Sequence, residues 1–407
     1  MTAQRVVLTG LGVLSSIGNG AADFTRALRE GRCGVGPITL FDADGFRRRL
    51  AHEVHDFDPS EWIHHTPVEQ LGRATQFSIA AARMAVRDAG LETEQLRGSR
   101  GLVTIGTTDG EARELDQLIE AELADGPQNL DPTAVRRLPA HRLALALVRE
   151  LRLPRAVPSV LGTACAAGNY AIGDGFDAVR SGEADWALVG GSDALARRTF
   201  AGFSRLGLVA SDRCRPFDAE REGLLTAEGA GVLLLETLDS ARARGARIYA
   251  ELLGYGLNCD AHHPTAPDQE SVTRCMGLAL ADAGVKPAEV DLVSAHGTGT
   301  KTNDITETRA VRALFGDRPP RTVALKSMLG HSMGAASALG AAASALALAH
   351  GFIPPTVNHR TTDPECGIDC VPNQAVEAPL RVVVNNGLAF GGNNASVVLG
   401  RYEEDHR

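Results

Sequence analysis

Strand-like and helix-like runs alternate along this chain, and after one full round the alternation starts again. Apolar runs of strand length fall at residues 5–9, 101–106, 156–161, 186–189 and around 229–236, with helical patterns at 21–30, 74–89, 141–151 and 169–180. Past an arginine-rich helix at 239–244 the order resumes. Strands follow at 248–257 and 290–295, helices at 271–283, 304–314 and 335–349, and closing strands at 381–384 and 396–400. Strands that alternate with helices pack as stacked α/β layers, because each sheet face needs a covering helix. Two rounds of similar order predict an internal duplication that breaks near residue 240, giving an N-terminal half at 1–240 and a C-terminal half at 241–407. No low-complexity linker separates them, so the halves are expected to share one continuous core.

Composition narrows the partners. Hydrophobic content of 44% with 22% charged residues is the balance of a soluble globular protein. A net charge of −9 with no basic stripe argues against nucleic acid. Met1 leads directly into a strand-like run, with no leader pattern. The most apolar stretch, 333–349, is mostly Ala, Gly and Ser, too short and too weakly apolar to span a bilayer. A close-packed buried helix is expected there instead. The seven cysteines are scattered, and Cys366/Cys370 has no second pair to complete a zinc site. They read as reduced thiols of a cytoplasmic protein.

Chemistry concentrates on Cys165, in Gly162-Thr163-Ala164-Cys165-Ala166-Ala167-Gly168, between a strand and a helix. Its small neighbours allow a sharp turn and the approach of a bulky acyl donor. The first turn of the helix directs its N–H dipoles at the sulfur, which favours the attacking thiolate. Alone, such a cysteine reads as a small buried hydrophobe. Three other segments change that reading. Ser294 to Asp304 carries His296 from a strand end into a loop of small hydroxyl residues. Lys326 to Ala336 carries His331 toward the alanine-rich helix, and Ala389 to Ser396 sets a glycine turn beside Phe390. Singly, each histidine reads as structural and each glycine turn as a turn. Together they offer a nucleophilic sulfur, donors for a developing enolate and a backbone oxyanion hole. The chain has only three lysines, and Lys301 and Lys326 lie inside these segments, where a compact charge on a flexible stem is wanted. Val6 to Gly12 looks like the start of a dinucleotide fingerprint. Ser15 stands where the third glycine belongs, so nicotinamide binding is not expected.

Taken in order, the motifs resemble the β-ketoacyl-acyl carrier protein synthases of the thiolase superfamily, of the elongating fatty-acid and type II polyketide ketosynthase kinds. The resemblance runs from Thr9-Gly10-Leu11-Gly12 through Thr163-Ala164-Cys165, Pro216-Phe217-Asp218 and Ala227-Glu228-Gly229-Ala230-Gly231. It continues through His296-Gly297-Thr298, Lys326-Ser327, Gly330-His331 and Phe390-Gly391-Gly392. It implies a thiolase-like five-layered αβαβα fold built from two duplicated halves. It also implies an acyl carrier protein as partner, acyl groups carried on its phosphopantetheine, and no metal or redox cofactor. The expected assembly is a homodimer or a heterodimer with a chain-length-factor-like subunit. By this resemblance Cys165 accepts the acyl group, and the backbone N–H groups of Cys165 and Phe390 form the oxyanion hole. His296 and His331 donate from Nε2 to the malonyl thioester carbonyl during decarboxylation. Lys326 supports the second histidine, and Glu307 partners that lysine. Thr298 and Thr300 line the pantetheine channel, with Thr107, Thr108, Leu388 and Gly391 also placed at the substrate.

Departures from the family pattern bear on specificity. Ala389 stands where a mobile loop usually has glycine, Asn393 replaces the usual Thr, and Ala227 replaces glycine. The run Thr107 to Glu111 is more polar than the segment that commonly borders the acyl pocket. His64 to Gln70 lacks a basic cluster for an acidic carrier, leaving mainly Arg73, with Arg197, Arg198 and Arg205 as substitutes. These changes lean toward a specialised natural-product enzyme. Two alternatives share some of the features: a cysteine acyltransferase that does not condense, and a non-catalytic chain-length-factor-like subunit.

Overall fold

The computed structural model describes residues 4–404. In the first half the main strands are β1 (Val6–Ser15), β2 (Gly101–Gly106), β3 (Ala156–Leu161), β4 (Trp186–Asp193) and β5 (Gly229–Thr237). In the second they are β6 (Ala250–Cys259), β7 (Leu292–Ser294), β8 (Arg321–Val323), β9 (Val382–Leu388) and β10 (Asn393–Gly400). Across the sheet their order is β8-β7-β9-β10-β6-β1-β5-β4-β2-β3. Counted within its own half, each set runs third, second, fourth, fifth, first. Directions repeat as well: the second strand of each half is parallel to the third and fourth, and the fifth is antiparallel to the fourth and first. The halves join where β1 and β6 pair antiparallel, with Val6 opposite Leu252 and Leu8 opposite Ala250.

Helices complete five layers. On the outside of the first half, α1 (Arg73–Asp88) covers β1, β4 and β5, α2 (Ala112–Asp125) lies farther out, and α3 (Arg142–Glu150) packs on α1 and β3. The middle layer is α4 (Ala167–Ser181), which touches strands of both halves and leads on in the chain to α5 (Arg197–Arg205). On the far side α6 (Gln269–Ala283) covers β6 and β10 with α7 (Lys301–Phe315) beside it, and α8 (Ala336–His350) shares the middle layer with α4. The fold is the thiolase-like αβαβα arrangement that the motifs imply. Every residue of α8 from Ser337 to Leu348 is buried. Alanine, glycine and serine keep this helix thin enough for the two halves of the sheet to close over it. Together with the turn before it, the stretch Met333–His350 is long and apolar enough by composition to match a membrane span, yet it is mostly buried in the core of the molecule.

The first strand runs well past its apolar run at 5–9: β1 continues through Gly10 and Gly12 to Ser15. A Cβ on Gly12 would lie 1.7 Å from the Ala81 carbonyl oxygen, and one on Gly10 2.1 Å from that of Ala85. These positions are flat so that the backbone of α1 can lie on the strand. Gly12→Ala is therefore expected to cost about 3 kcal/mol or more through overpacking, read as a lower denaturant midpoint. The closing strands are also longer than their apolar runs. Buried Asn385, Asn386 and Asn394 extend them, because their amides find partners: Asn385 bonds to Asn169 in the middle layer, Asn386 to Glu307 on α7 and Ser396 on β10, and Asn394 to Asn258 on β6. Helix α2 gave no signal in the pattern, since Ile119 and Leu123 on it remain exposed.

Candidate active site

Both central helices begin with the same strained turn. Thr163-Ala164-Cys165 leads into α4 and Ser332-Met333-Gly334 into α8, each through a 3-10 turn. Ala164 has φ +51° and Met333 φ +49°. A side-chain-bearing residue in the left-handed region costs about 1 kcal/mol or more, so the surroundings must enforce it. The repeat makes Gly334 the counterpart of Cys165. A Cβ there would lie 2.6 Å from the Thr107 Cα, so only one of the two turns can carry a thiol.

Cys165 is 5% exposed. Its helix is locked to the other half by Asn169, whose N–H donates to Ser337 Oγ at 3.0 Å and whose Nδ2 donates to the Asn385 and Ala395 carbonyls at 3.0 and 3.1 Å. The expected thiolate is corrected by this burial. Desolvation pushes the thiol up to about 12, Asp193 and Asp109 add to the rise, and Lys326 only partly opposes it. At rest the sulfur carries its proton.

His296 enters at the end of β7 on a loop held by the helix that follows it. Glu307, on α7, accepts the N–H groups of His296 and Gly297, both at 2.8 Å. Asp304, one turn earlier, accepts Gly299 N–H at 3.2 Å and Phe217 N–H at 2.9 Å. Burial raises both carboxyls, Asp304 to about 6. Glu307 secures the His296 backbone, and its charge is also the largest one acting to keep the buried Lys326 ammonium protonated, although among the described residues no direct ion pair joins them. Lys326 acts on His331 through its charge and on His296 through contact as well. Its ammonium donates to His296 Nδ1 at 3.3 Å and to the His296 carbonyl, so it supports the first histidine by contact. His331 is served by the backbone, its Nδ1 accepting Met333 N–H at 3.2 Å.

These partners fix the tautomers. With each Nδ1 accepting, each ring carries its proton on Nε2. Burial and then the Lys326 charge hold both imidazoles well below their ordinary value, so both are neutral at pH 7. Their ring centroids are 5.4 Å apart at 81°. Both line a cleft of about 650 Å³ together with Cys165, Thr298, Thr300, Leu388 and Phe390. Phe390 sits in the β9–β10 turn with its ring 5.7 Å from Phe203 at the mouth. Gly391 and Gly392 take φ +86° and +82° to close that turn, which is why glycine stands at both. Gly391 is beside the cleft wall, its N–H donating to the Pro264 carbonyl at 2.8 Å.

Other expected residues lie elsewhere. Thr107 and Thr108 do not face the cleft; Thr107 Oγ1 and Thr108 N–H donate to Asp193, at 2.5 and 2.8 Å. Arg73 is unavailable for docking, since it pairs with buried Glu228 at 2.6 and 2.8 Å and stacks on Phe77. Asp193 itself was missed, although a lone acid ending the apolar strand Trp186-Ala187-Leu188-Val189-Gly190-Gly191-Ser192-Asp193 was a visible signal.

A buried thiol facing two imidazole N–H donors across the joint of two matched halves defines a thiolase-like site for acyl thioesters. The family model for the beta-ketoacyl synthase N-terminal domain matches residues 3–241, and that for the C-terminal domain matches 249–360. The 3-oxoacyl-[acyl-carrier-protein] synthase 2 of Synechocystis sp. is 37% identical over 98% of this chain and 99% of its own. That of Coxiella burnetii is 36% identical over the same shares. Among solved structures, a chain of the ishigamide ketosynthase/chain length factor superposes with TM-score 0.98 at 57% identity, covering 99% of this chain and 100% of that one. A chain of the AntDE:AntF complex, described as a type II PKS acyl-carrier protein with its ketosynthase bound to the hexaketide, superposes with TM-score 0.90 at 31% identity, covering 99% and 100%. The chain belongs to the β-ketoacyl synthase family.

Proposed function

We propose that this chain is a cytoplasmic β-ketoacyl-[acyl-carrier-protein] synthase that joins an acyl group on Cys165 to a malonyl group on a carrier protein, in a type II polyketide or specialised fatty-acid pathway. One observation carries the reading: two neutral histidines, each with Nδ1 occupied, present Nε2–H donors beside a single buried thiol.

The steps balance without a cofactor. Cys165 attacks the acyl thioester of one carrier, the carbonyl oxygen gains charge within reach of the Cys165 and Phe390 N–H groups, and the carrier thiol leaves with the proton that Cys165 gives up. A malonyl thioester then enters. Its bond to CO2 breaks, and the electron pair moves onto the thioester carbonyl oxygen, where His296 and His331 donate. The enolate carbon attacks the Cys165 thioester, the C–S bond breaks, and Cys165 takes up one proton. The fixed donors need no reorganisation as charge develops.

Carrier docking is assigned to exposed Arg197, Arg198 and Arg205 of α5, the helix that also carries Phe203 to the mouth. The partner is assigned to a second subunit at the end of the sheet, where β3 is an edge strand and Val157 is 63% exposed. Likeness to the ishigamide ketosynthase/chain length factor favours a chain-length-factor-like subunit there over a second copy. The mass of the purified chain alone tests this, and a stable homodimer of full activity overturns it.

The function is tested by incubating the protein with acyl-carrier and malonyl-carrier and following all species by intact mass. Acylation of Cys165, loss of CO2 and an extended product are expected. Acyl transfer without CO2 loss defeats the condensing reading in favour of an acyltransferase. In the same assay, reversing Arg197, Arg198 and Arg205 to Glu is expected to raise KM for carrier about tenfold while sparing turnover of a small thioester.

A further inference from the structure

Asp193 ends β4 with its side chain fully buried, between the turns that present the thiol and the second histidine. Four donors converge on it: Thr107 Oγ1 at 2.5 Å, Thr108 N–H at 2.8 Å, Asp109 N–H at 3.1 Å and Gly334 N–H at 2.6 Å. Three come from the loop after β2 in the first half. The fourth comes from the entry turn of α8 in the second half, one residue past Met333. That residue is held at φ +49° and gives its N–H to His331 Nδ1. Nothing with a side chain fits at the joint: a Cβ on Gly334 would lie 2.7 Å from Asp193 Oδ2, and one on Gly191 2.3 Å from the Gly334 carbonyl oxygen.

We propose that Asp193 is a positioning residue for the condensation: by accepting the Gly334 N–H it holds the strained Met333 turn, and so keeps His331 in the tautomer that donates from Nε2. This rests on the function proposed above and extends it to a residue that touches no substrate. The groups facing Asp193 are Asp109, whose own carboxylate accepts Thr199 Oγ1, and the Cys165 thiol. Burial first, and then the Asp109 charge, raise Asp193 to about 7. The donors are therefore bound fully only above that pH, and protonation on the acid side loosens the Gly334 contact. Neither histidine titrates near there, because both are held neutral. Asp304, raised to about 6 beside the His296 loop, titrates lower, so the part of any fall in malonyl decarboxylation near pH 7 that disappears in an Asp193 variant is the part assigned to Asp193.

The test uses the full chain with malonyl-carrier, scored by CO2 loss across pH, and with acyl-carrier, scored by Cys165 loading. Asp193→Asn keeps the shape but turns an N–H toward other N–H groups. It is expected to lower decarboxylation about 10- to 100-fold, to affect loading less, and to erase the acidic limb. If that variant does not fold, Thr107→Val removes one donor to the anion and is expected to move the limb up by about one pH unit. A ¹⁵N-histidine correlation spectrum needs no substrate. At about pH 7.5, where the native Asp193 is mostly ionised, it should give Nε2–H for His331 in the native chain and a mixture of tautomers in either variant. Native-like decarboxylation with an unmoved limb, or an unchanged His331 tautomer in a folded variant, overturns the proposal. A native chain that neither loads nor decarboxylates defeats the proposed function instead, and the tautomer measurement still decides the role of Asp193.

Discussion

Cys165→Ala is expected to abolish acyl loading altogether while leaving the fold in place. No other thiol replaces it: the matching turn of the second half has Gly334, and a side chain there would collide with Thr107. Alanine suits the 3-10 turn Ala164–Ala166, which already has alanines on both sides of the cysteine. The variant loses one buried sulfur, worth about 1 kcal/mol, so its unfolding midpoint should move little. The histidines are untouched, and decarboxylation of malonyl-carrier should continue, now without extension. Intact mass checks both arms, and an acyl adduct surviving on the variant would show that the nucleophile lies elsewhere.

The second large effect is on decarboxylation. His331→Ala removes one of two fixed donors to the developing enolate oxygen, and such a loss costs about 10²- to 10³-fold in rate. Acyl loading should stay near native, because the donors assigned to that step are backbone N–H groups. His296→Ala should match this loss and also destabilise the chain. It leaves the Lys326 ammonium buried with only the residue 296 carbonyl as its contact. His331→Gln, whose amide can place an N–H close to where Nε2–H was, should recover part of the rate. CO2 release measured alongside loading separates the two roles, and an equal fall in both for His331→Ala would contradict the division of labour.

Much of the fold was legible because it depends on periodicity, which is local. The alternation of elements and its repetition predicted layered halves, and an alanine-rich run too weak for a bilayer predicted a buried helix. Glycines were harder to read. Gly10 and Gly12 looked like the start of a dinucleotide fingerprint, but what requires them is a helix some 70 residues away in the chain, whose backbone rests on the strand. The long asparagine-rich strands before and after Phe390 were cut short for a similar reason, since their amides are satisfied by partners far away in the chain, such as Asn169, Glu307 and Asn258, which no local pattern displays.

At the site, sequence alone determined the identities of the reacting groups. Cys165, His296 and His331, the groups proposed to react, stand in short segments that are ambiguous one by one, and it was their occurrence together in one chain, in order, that singled them out. Tertiary structure alone decided their electrical state and their supports. Burial keeps Cys165 a thiol and both imidazoles neutral, and burial is a property of the whole core. Lys326 turned out to touch His296 while its charge acts on both imidazoles and on Glu307, and Arg73 to hold a glutamate, because a charge removed from water must find partners in space. Asp193 is the limiting case. Its residue type was visible at the end of β4, but its role arises where two halves of the chain meet, and no local pattern records that meeting.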